Sequence, residues 1–513
     1  MRQRRLTSLR LALARALPAP RRAALLVAAA LVLIAAGALA RPGGGDSYSG
    51  SSRSSGSSPS GGGGGGDVDV GLIIELVYLC YRYPPLGIVA LVGVAGFYVV
   101  KSRAARGLKD WSTGLPQQAA QRIEAYTPSQ NVRAKLSALR ADDPAFSLIL
   151  FEDFAYALYA ELQVSRARGA ISRLAAFLNV DVARMLYDTA LERVDGVVIG
   201  ALRYKTVELG PQQVTVTLEL EANFSELRQG GAQRYYVVDR ITLTRARAAR
   251  SRPPARARKL DCPNCGAPLE GMRGTTCGYC RTEVGGGRLD WMIQSVQRVT
   301  TEARAPLVTT EVAEQGTQLP TRVAPGCHER LAELGRRDPA HDPAALWARI
   351  ALIFGELQIG WSEQNLARLR PFVTDNLFQY FGYWIDAYVA NHARNVTENA
   401  RVLNIELAEV ASDATYDAVT VRVFATGLDY TLAADGRLLK GSRKKERPYS
   451  EYWTLIRGNG ARGRPRTEPV CPCCGAPLRI GMAGNCEYCH ARIVTGEFDW
   501  VLSRIEQDEA YGA

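Results

Sequence analysis

The chain has 513 residues, 47% of them apolar and 22% charged, a globular composition spread over too much length for one hydrophobic core. Its 63 lysines and arginines against 51 acids give a formal charge of +12, which suits anionic partners, either nucleic acid or an acidic lipid leaflet, and says nothing about fold. With four histidines and no Gly-x-Ser-x-Gly elbow, Walker loop or His-Glu-x-x-His, the sequence carries no recognisable catalytic motif, and a non-enzymatic role is expected.

At the amino-terminal end, Arg2, Arg4, Arg5, Arg10, Arg15, Arg21 and Arg22 precede an uncharged apolar run, 23–40, that closes with Ala38-Leu39-Ala40. That is the layout of a secretory signal peptide over 1–40, cut after Ala40, or of an uncleaved anchor. Residues 41–66 are a Gly/Ser tract that cannot bury a core and reads as a linker. A second apolar region, 70–81 and 86–100, is broken by Pro84-Pro85 and ended by Lys101, Arg103 and Arg106. This membrane segment, 67–105, either crosses the bilayer or lies as a hairpin in one leaflet. The basic residues after it predict that the rest of the chain is cytoplasmic, beginning with a connector over 106–140.

The remainder is a tandem repeat. Residues 262–295 align without a gap on 471–504, an offset of 209, and Glu161-Leu162-Gln163-Val164 corresponds to Glu356-Leu357-Gln358-Ile359 at an offset of 195. Each unit reads as an α+β domain, at 141–250 and 339–460, followed by a small cysteine module, at 258–300 and 468–510, with a linker over 301–338. In the first unit Phe146, Leu150, Phe154, Leu158 and Leu162 recur at helical spacing, a second apolar pattern runs over 171–187, and strands follow near 197–207, 214–220 and 235–244. The second unit predicts helices over 344–361, 364–369 and 376–391, then strands near 402–410, 418–428 and 449–457.

Cys262, Cys265, Cys277 and Cys280, and again Cys471, Cys474, Cys486 and Cys489, have the spacing of four-thiolate zinc ribbons, in which two tight turns converge on one ion. Gly266 and Gly475 stand where such a turn needs positive φ. Disulfides are the alternative in an exported protein, but a cytoplasmic location keeps thiols reduced. Two structural Zn2+ ions are therefore expected, each leaving no open position for a catalytic water. The extra Cys473 and His490 are expected to stay off the ion, Cys80 to be a membrane-buried thiol and Cys327 a linker thiol. After Asp290-Trp291 and Asp499-Trp500, short helices over 291–299 and 500–507 are expected to brace each ribbon against its domain. Asp386 and His392 on one helical stretch could meet in a pocket, but a surface pair is the favoured reading.

Three basic stretches, 245–259, 443–447 and 462–466, suit an anionic leaflet, and the first lacks the interleaved aromatic residues that stack nucleic-acid bases.

Asp342-Pro343, Phe372, Asp386, Asp429-Tyr430, Glu451-Tyr452-Trp453-Thr454, Cys471-Pro-x-Cys-Gly-Ala-Pro-Leu and Gly496-Glu-Phe-Asp-Trp500 together resemble bacterial proteins related to the carboxy-terminal domain of subunit 44 of the mitochondrial inner-membrane translocase. The resemblance implies two nuclear-transport-factor-2-like domains, helices wrapped by a curved antiparallel sheet around a pocket, and peripheral binding to anionic membrane lipid, cardiolipin included. The first unit departs from the pattern, with Tyr235-Tyr236-Val237 standing roughly where Glu451-Tyr452-Trp453 does. The chaperone-docking region of the mitochondrial protein has no counterpart, so a protein-import role does not transfer. The expectation is a membrane-anchored lipid- or partner-binding protein that supports transport or membrane-protein assembly. Its rival is a scaffold or nucleic-acid adaptor that uses the ribbons as contact surface.

Overall fold

A computed structural model describes residues 132–303, 317–508 and 511, which fall in one compact unit. The signal or anchor at 1–40, the Gly/Ser linker, the membrane segment with Cys80, and most of the 106–140 connector lie outside the described residues. Among the described residues no helix is long and apolar enough to cross a membrane.

The first half opens with α1 (Val132–Leu136) and a 3-10 turn (Ser137–Ala141), whose Leu136 and Leu139 are fully buried, so the end of the expected connector belongs to the domain. Next comes α2 (Leu148–Ser165), which starts where the Ser147 hydroxyl accepts the Leu150 amide, a standard N-cap. A 3-10 run (Ala167–Ala176) and α3 (Val180–Leu186) occupy the second apolar pattern. Strands β1 (Arg193–Leu209), β2 (Gln213–Arg228) and β3 (Gly231–Ala246) then form an antiparallel meander, longer at both ends than the alternation predicts. Three register shifts along β1 bend it over the helices, since a bulge curves its strand.

The second half repeats the order with α5 (Cys327–Arg337), α6 (Pro343–Ser362), α7 (Leu366–Leu369) and α8 (Asp375–Ala390). Its sheet contains β7 (Ala393–Ser412), β8 (Tyr416–Ala433), β9 (Leu438–Glu446) and β10 (Tyr449–Gly458). A short α4 (Pro254–Ala257) lies between the first sheet and the first ribbon, which holds the small hairpin β4 (Met272–Arg273) and β5 (Thr276–Cys277). Cys327 is buried at the start of α5, which packs on β7, so it is a core residue of the second domain and not the linker thiol expected from its position.

Two further corrections concern strands. The segments expected as helices after the ribbons are β6 (Met292–Ala303) and β11 (Val501–Gln507). Each adds to the open edge of its sheet, giving the orders β1-β2-β3-β6 and β11-β10-β8-β7. Ile293, Val296, Val299, Thr300 and Thr301 are β-branched, and an edge strand of unpaired amides beside them decides the conformation more strongly than the short apolar pattern does. Strand β9 was not expected, because its sequence, Leu438 to Glu446, is rich in basic residues and shows no apolar alternation. The α+β expectation, helices on a curved antiparallel sheet in each half, is borne out.

In each half an apolar core lies between helices and sheet. Phe154, Leu158, Phe177, Val216, Leu218 and Ile241 form the first core, and Phe354, Trp361, Phe381, Val421, Val423 and Trp453 the second. Helix α2 is apolar on more than one face, because its Ile149 and Leu150 leave the first core and meet Tyr416, Ile456 and Val501 on the outside of the second sheet.

Candidate metal centres

The cysteine modules fold as expected of paired knuckles. In the first, the Gly266 amide donates to the Cys262 carbonyl at 2.9 Å and the Arg281 amide to the Cys277 carbonyl at 2.8 Å. In the second, Gly475 and His490 donate to Cys471 and Cys486 in the same way, both at 2.9 Å. The residue closing each turn has positive φ: Gly266 at 79°, Arg281 at 58°, Gly475 at 76° and His490 at 60°. His490 therefore occupies a backbone position that Arg281 fills in the other ribbon.

Each module brings its four sulfurs within 4.8 Å of one another. The closest cross-knuckle pairs are 3.9 and 3.8 Å in the first (Cys262–Cys280, Cys265–Cys277) and 3.9 and 4.0 Å in the second (Cys471–Cys489, Cys474–Cys486). Four sulfurs bonded at ~2.3 Å to a central ion stand about 3.8 Å apart in a tetrahedron, so both clusters fit a metal ion without rearrangement. Burial pushes the Cys262 thiol up to about 12 and raises Cys471, while a hydrogen bond from the Asn264 side chain brings Cys280 down to about 5. Metal ligation needs the thiolate form, so a bound cation would release whatever protons the four thiols carry. Cys473 is exposed and stands outside the second cluster.

The Asp-Trp pair that follows each ribbon ties it to the domain. The carboxylate of Asp290 accepts the Trp291 amide at 2.8 Å, as Asp499 does from Trp500. Both indoles are buried, each under a buried arginine from the penultimate strand: Arg245 lies 5.1 Å from the Trp291 ring and Arg457 5.1 Å from the Trp500 ring. Those arginines in turn pair with Asp143 at 3.0 Å and Asp338 at 3.1 Å, and each aspartate also accepts a backbone amide, from Ser251 or Gly463. The whole constellation is duplicated, yet the partner of the Asp-Trp carboxylate differs. Asp290 is met by Arg252 at 2.6 Å, and Asp499 by Arg349 of α6 at 3.1 Å. At the α2 position that corresponds to Arg349 stands Phe154, with Arg252 lying 5.8 Å above its ring. The guanidinium reaches the same place from a different element.

Sheet register corrects one sequence correspondence. Leu243 and Leu455 face Ile293 and Leu502, which puts Asp239-Arg240-Ile241, not Tyr235-Tyr236-Val237, in the position of Glu451-Tyr452-Trp453. Both halves therefore bury an acid there, Asp239 at 0% and Glu451 at 1% exposure. Tyr159, Gln163 and Arg298 donate to Asp239, and the Trp453 indole and Gln507 donate to Glu451. Arg298 and Gln507 occupy matching places on β6 and β11. The match is hidden in the sequence because all three residues differ between the copies and the aromatic pair Tyr235-Tyr236 of the first lies four residues earlier.

Five of the seven cations in the first basic stretch are paired internally. Arg245, Arg247, Arg252, Arg256 and Arg258 pair with Asp143, Asp142, Asp290, Asp261 and Asp153 respectively. Asp386 and His392 are both exposed and no contact joins them to a site among the described residues.

Residues 328–466 match the family model of the Tim44-like domain. Among solved structures, an "Ntf2 like protein involved in plasmid conjugation" is 7% identical with a TM-score of 0.19, the alignment covering 71% of this chain and 98% of that one. A comparison with curated protein sequences finds no match. The part of the second half that runs from within α5 to the approach of the second ribbon is thus similar to the Tim44-like domain.

Proposed function

We propose that this chain is a non-enzymatic, membrane-anchored protein whose tandem domains bind anionic lipid, or a partner held at the lipid surface, on the cytoplasmic face of a bacterial inner membrane. The observation that carries this reading is the Tim44-like domain at 328–466, a domain of membrane-associated proteins, behind the apolar segments of 70–100. Both clusters take Zn2+ as a structural ion, since four thiolates at tetrahedral spacing suit it and saturate it. The ribbons act as clasps that position the closing strand of each sheet. Support for transport or membrane-protein assembly is the role that such a tethered binding module fits. Flotation of residues 106–513 with vesicles tests the reading: recovery with phosphatidylglycerol-containing vesicles and not with phosphatidylcholine alone is expected, and equal recovery with both refutes the anionic-lipid reading.

A further inference from the structure

The basic run near residue 443 has a different fate from the stretch at 245–259. It lies in β9, which pairs with β8 alone. That ladder joins Tyr430 to Gly441 and Leu428 to Glu446, so residues 442–445 stand looped out opposite the single residue Asp429. The Ser442 hydroxyl accepts the amides of Lys444 at 3.1 Å and Lys445 at 2.9 Å, which turns the backbone into the bulge. Arg443, Lys444 and Lys445 are exposed. Arg443 lies along the hairpin, 5.3 Å from the Tyr430 ring and bonded to the Gly436 carbonyl. The hairpin turns at Asp435-Gly436, with Gly436 at φ 81°, and just beyond the turn Leu438 is 43% exposed.

Charge on this hairpin is one-sided. Its two outward acids are already engaged, Asp435 with Arg437 and Glu446 with Arg401. Lys440 and Lys444, and Arg394 across Leu432 on β7, make no ion pair among the described residues. We propose that the β8–β9 hairpin is the membrane-contact element of the Tim44-like domain, its cations lying on the phosphates of an anionic leaflet and Leu438 entering the interface. A row of long flexible cations beside one exposed leucine suits a fluid charged surface, where each cation adds attraction and the apolar tip adds burial. Nucleic acid would call for an open aromatic face, and Tyr430 is buried beneath Arg443. The inference rests on the membrane-anchored reading above, and it names the contacting element.

The test is hydrogen exchange of the full chain with nanodiscs of phosphatidylcholine alone or mixed with phosphatidylglycerol. On the anionic discs, exchange of the 434–446 amides should slow on the order of tenfold. The combined variant R443E, K444E and K445E should lose that protection while the core strands β8 and β10 keep theirs, and Leu438→Ser should weaken it without altering the charge. Protection elsewhere in 328–466 with none in the hairpin overturns this inference and leaves the lipid reading standing. No anionic-disc protection anywhere overturns both. Protection by free polyphosphate equal to that by the discs overturns the assignment to a lipid surface.

Discussion

The buried Arg245–Asp143 and Arg457–Asp338 pairs show how single residues tie three parts of each half together. Each arginine sits on the penultimate strand, each aspartate ahead of the first long helix, and each guanidinium covers the tryptophan that leaves the ribbon. All four side chains are at most 4% exposed, so removing one partner strands an ion in low dielectric. Arg457→Ala and Arg245→Ala should therefore each cost about 3–5 kcal/mol in urea unfolding. Exposed Arg184→Ala, which loses only the Asp181 pair, should cost less than about 0.5 kcal/mol. Equal, small losses in all three variants would show that the buried pairs are dispensable. Sequence reasoning found Asp290-Trp291 and Asp499-Trp500 as a repeat but not these arginines, because in an arginine-rich stretch nothing in the sequence separates a buried guanidinium from a solvated one.

At the level of elements, the ribbons matter through the strands they launch. Trp291 leads directly into β6 and Trp500 into β11, and Ile293 and Leu502 bridge in parallel to Leu178 and Val373, the chain just after the helical segments. A ribbon that loses its metal loses the core that fixes its exit, because so small a module buries little else. Chelation, or Cys486→Ser alone, should abolish hydrogen-exchange protection in β11 while β7 and β8 stay protected, and Cys277→Ser should do the same to β6. Full protection of β11 in metal-stripped protein would show that the sheet holds the strand without the ribbon. The cysteine sites themselves were legible, since ligand spacing is local and the two copies reinforce each other. The strand after each site was not, because its conformation is set by a partner edge that lies some fifty residues upstream in sequence (Tyr235–Thr244 for β6, Glu451–Ile456 for β11). Strand β9 was hidden for the opposite reason, since its hydrogen bonds to β8 and not its apolar content hold it in place.

Across the whole described unit, the two halves are joined by a polar cluster over an apolar contact. Glu152 of α2 receives Arg133 at 2.7 Å, the Tyr204 hydroxyl at 3.0 Å and, from β11 of the second half, Arg504 at 3.5 Å. Burial works against the Glu152 charge, but the two guanidinium groups outweigh it and hold its carboxyl below the usual value. Arg258 reaches from the end of the first basic stretch to Asp153 at 2.6 Å and to Tyr416 of the second sheet at 2.5 Å, while Ile149 and Leu150 pack beneath against Ile456 and Val501. A repeat of two domains would be free to unfold one half at a time, but here each half buries part of the other, so one cooperative transition is expected of the metal-loaded protein. Glu152→Gln leaves Arg133 and Arg504 facing a neutral amide and should separate the unfolding of the halves, with a loss of about 3 kcal/mol. Following β1 and β8 amides together by hydrogen exchange in urea checks this. Coincident transitions at an unchanged midpoint in the variant would mean that the apolar contact alone couples the halves, and Ile149→Ala would then have to break the coincidence instead.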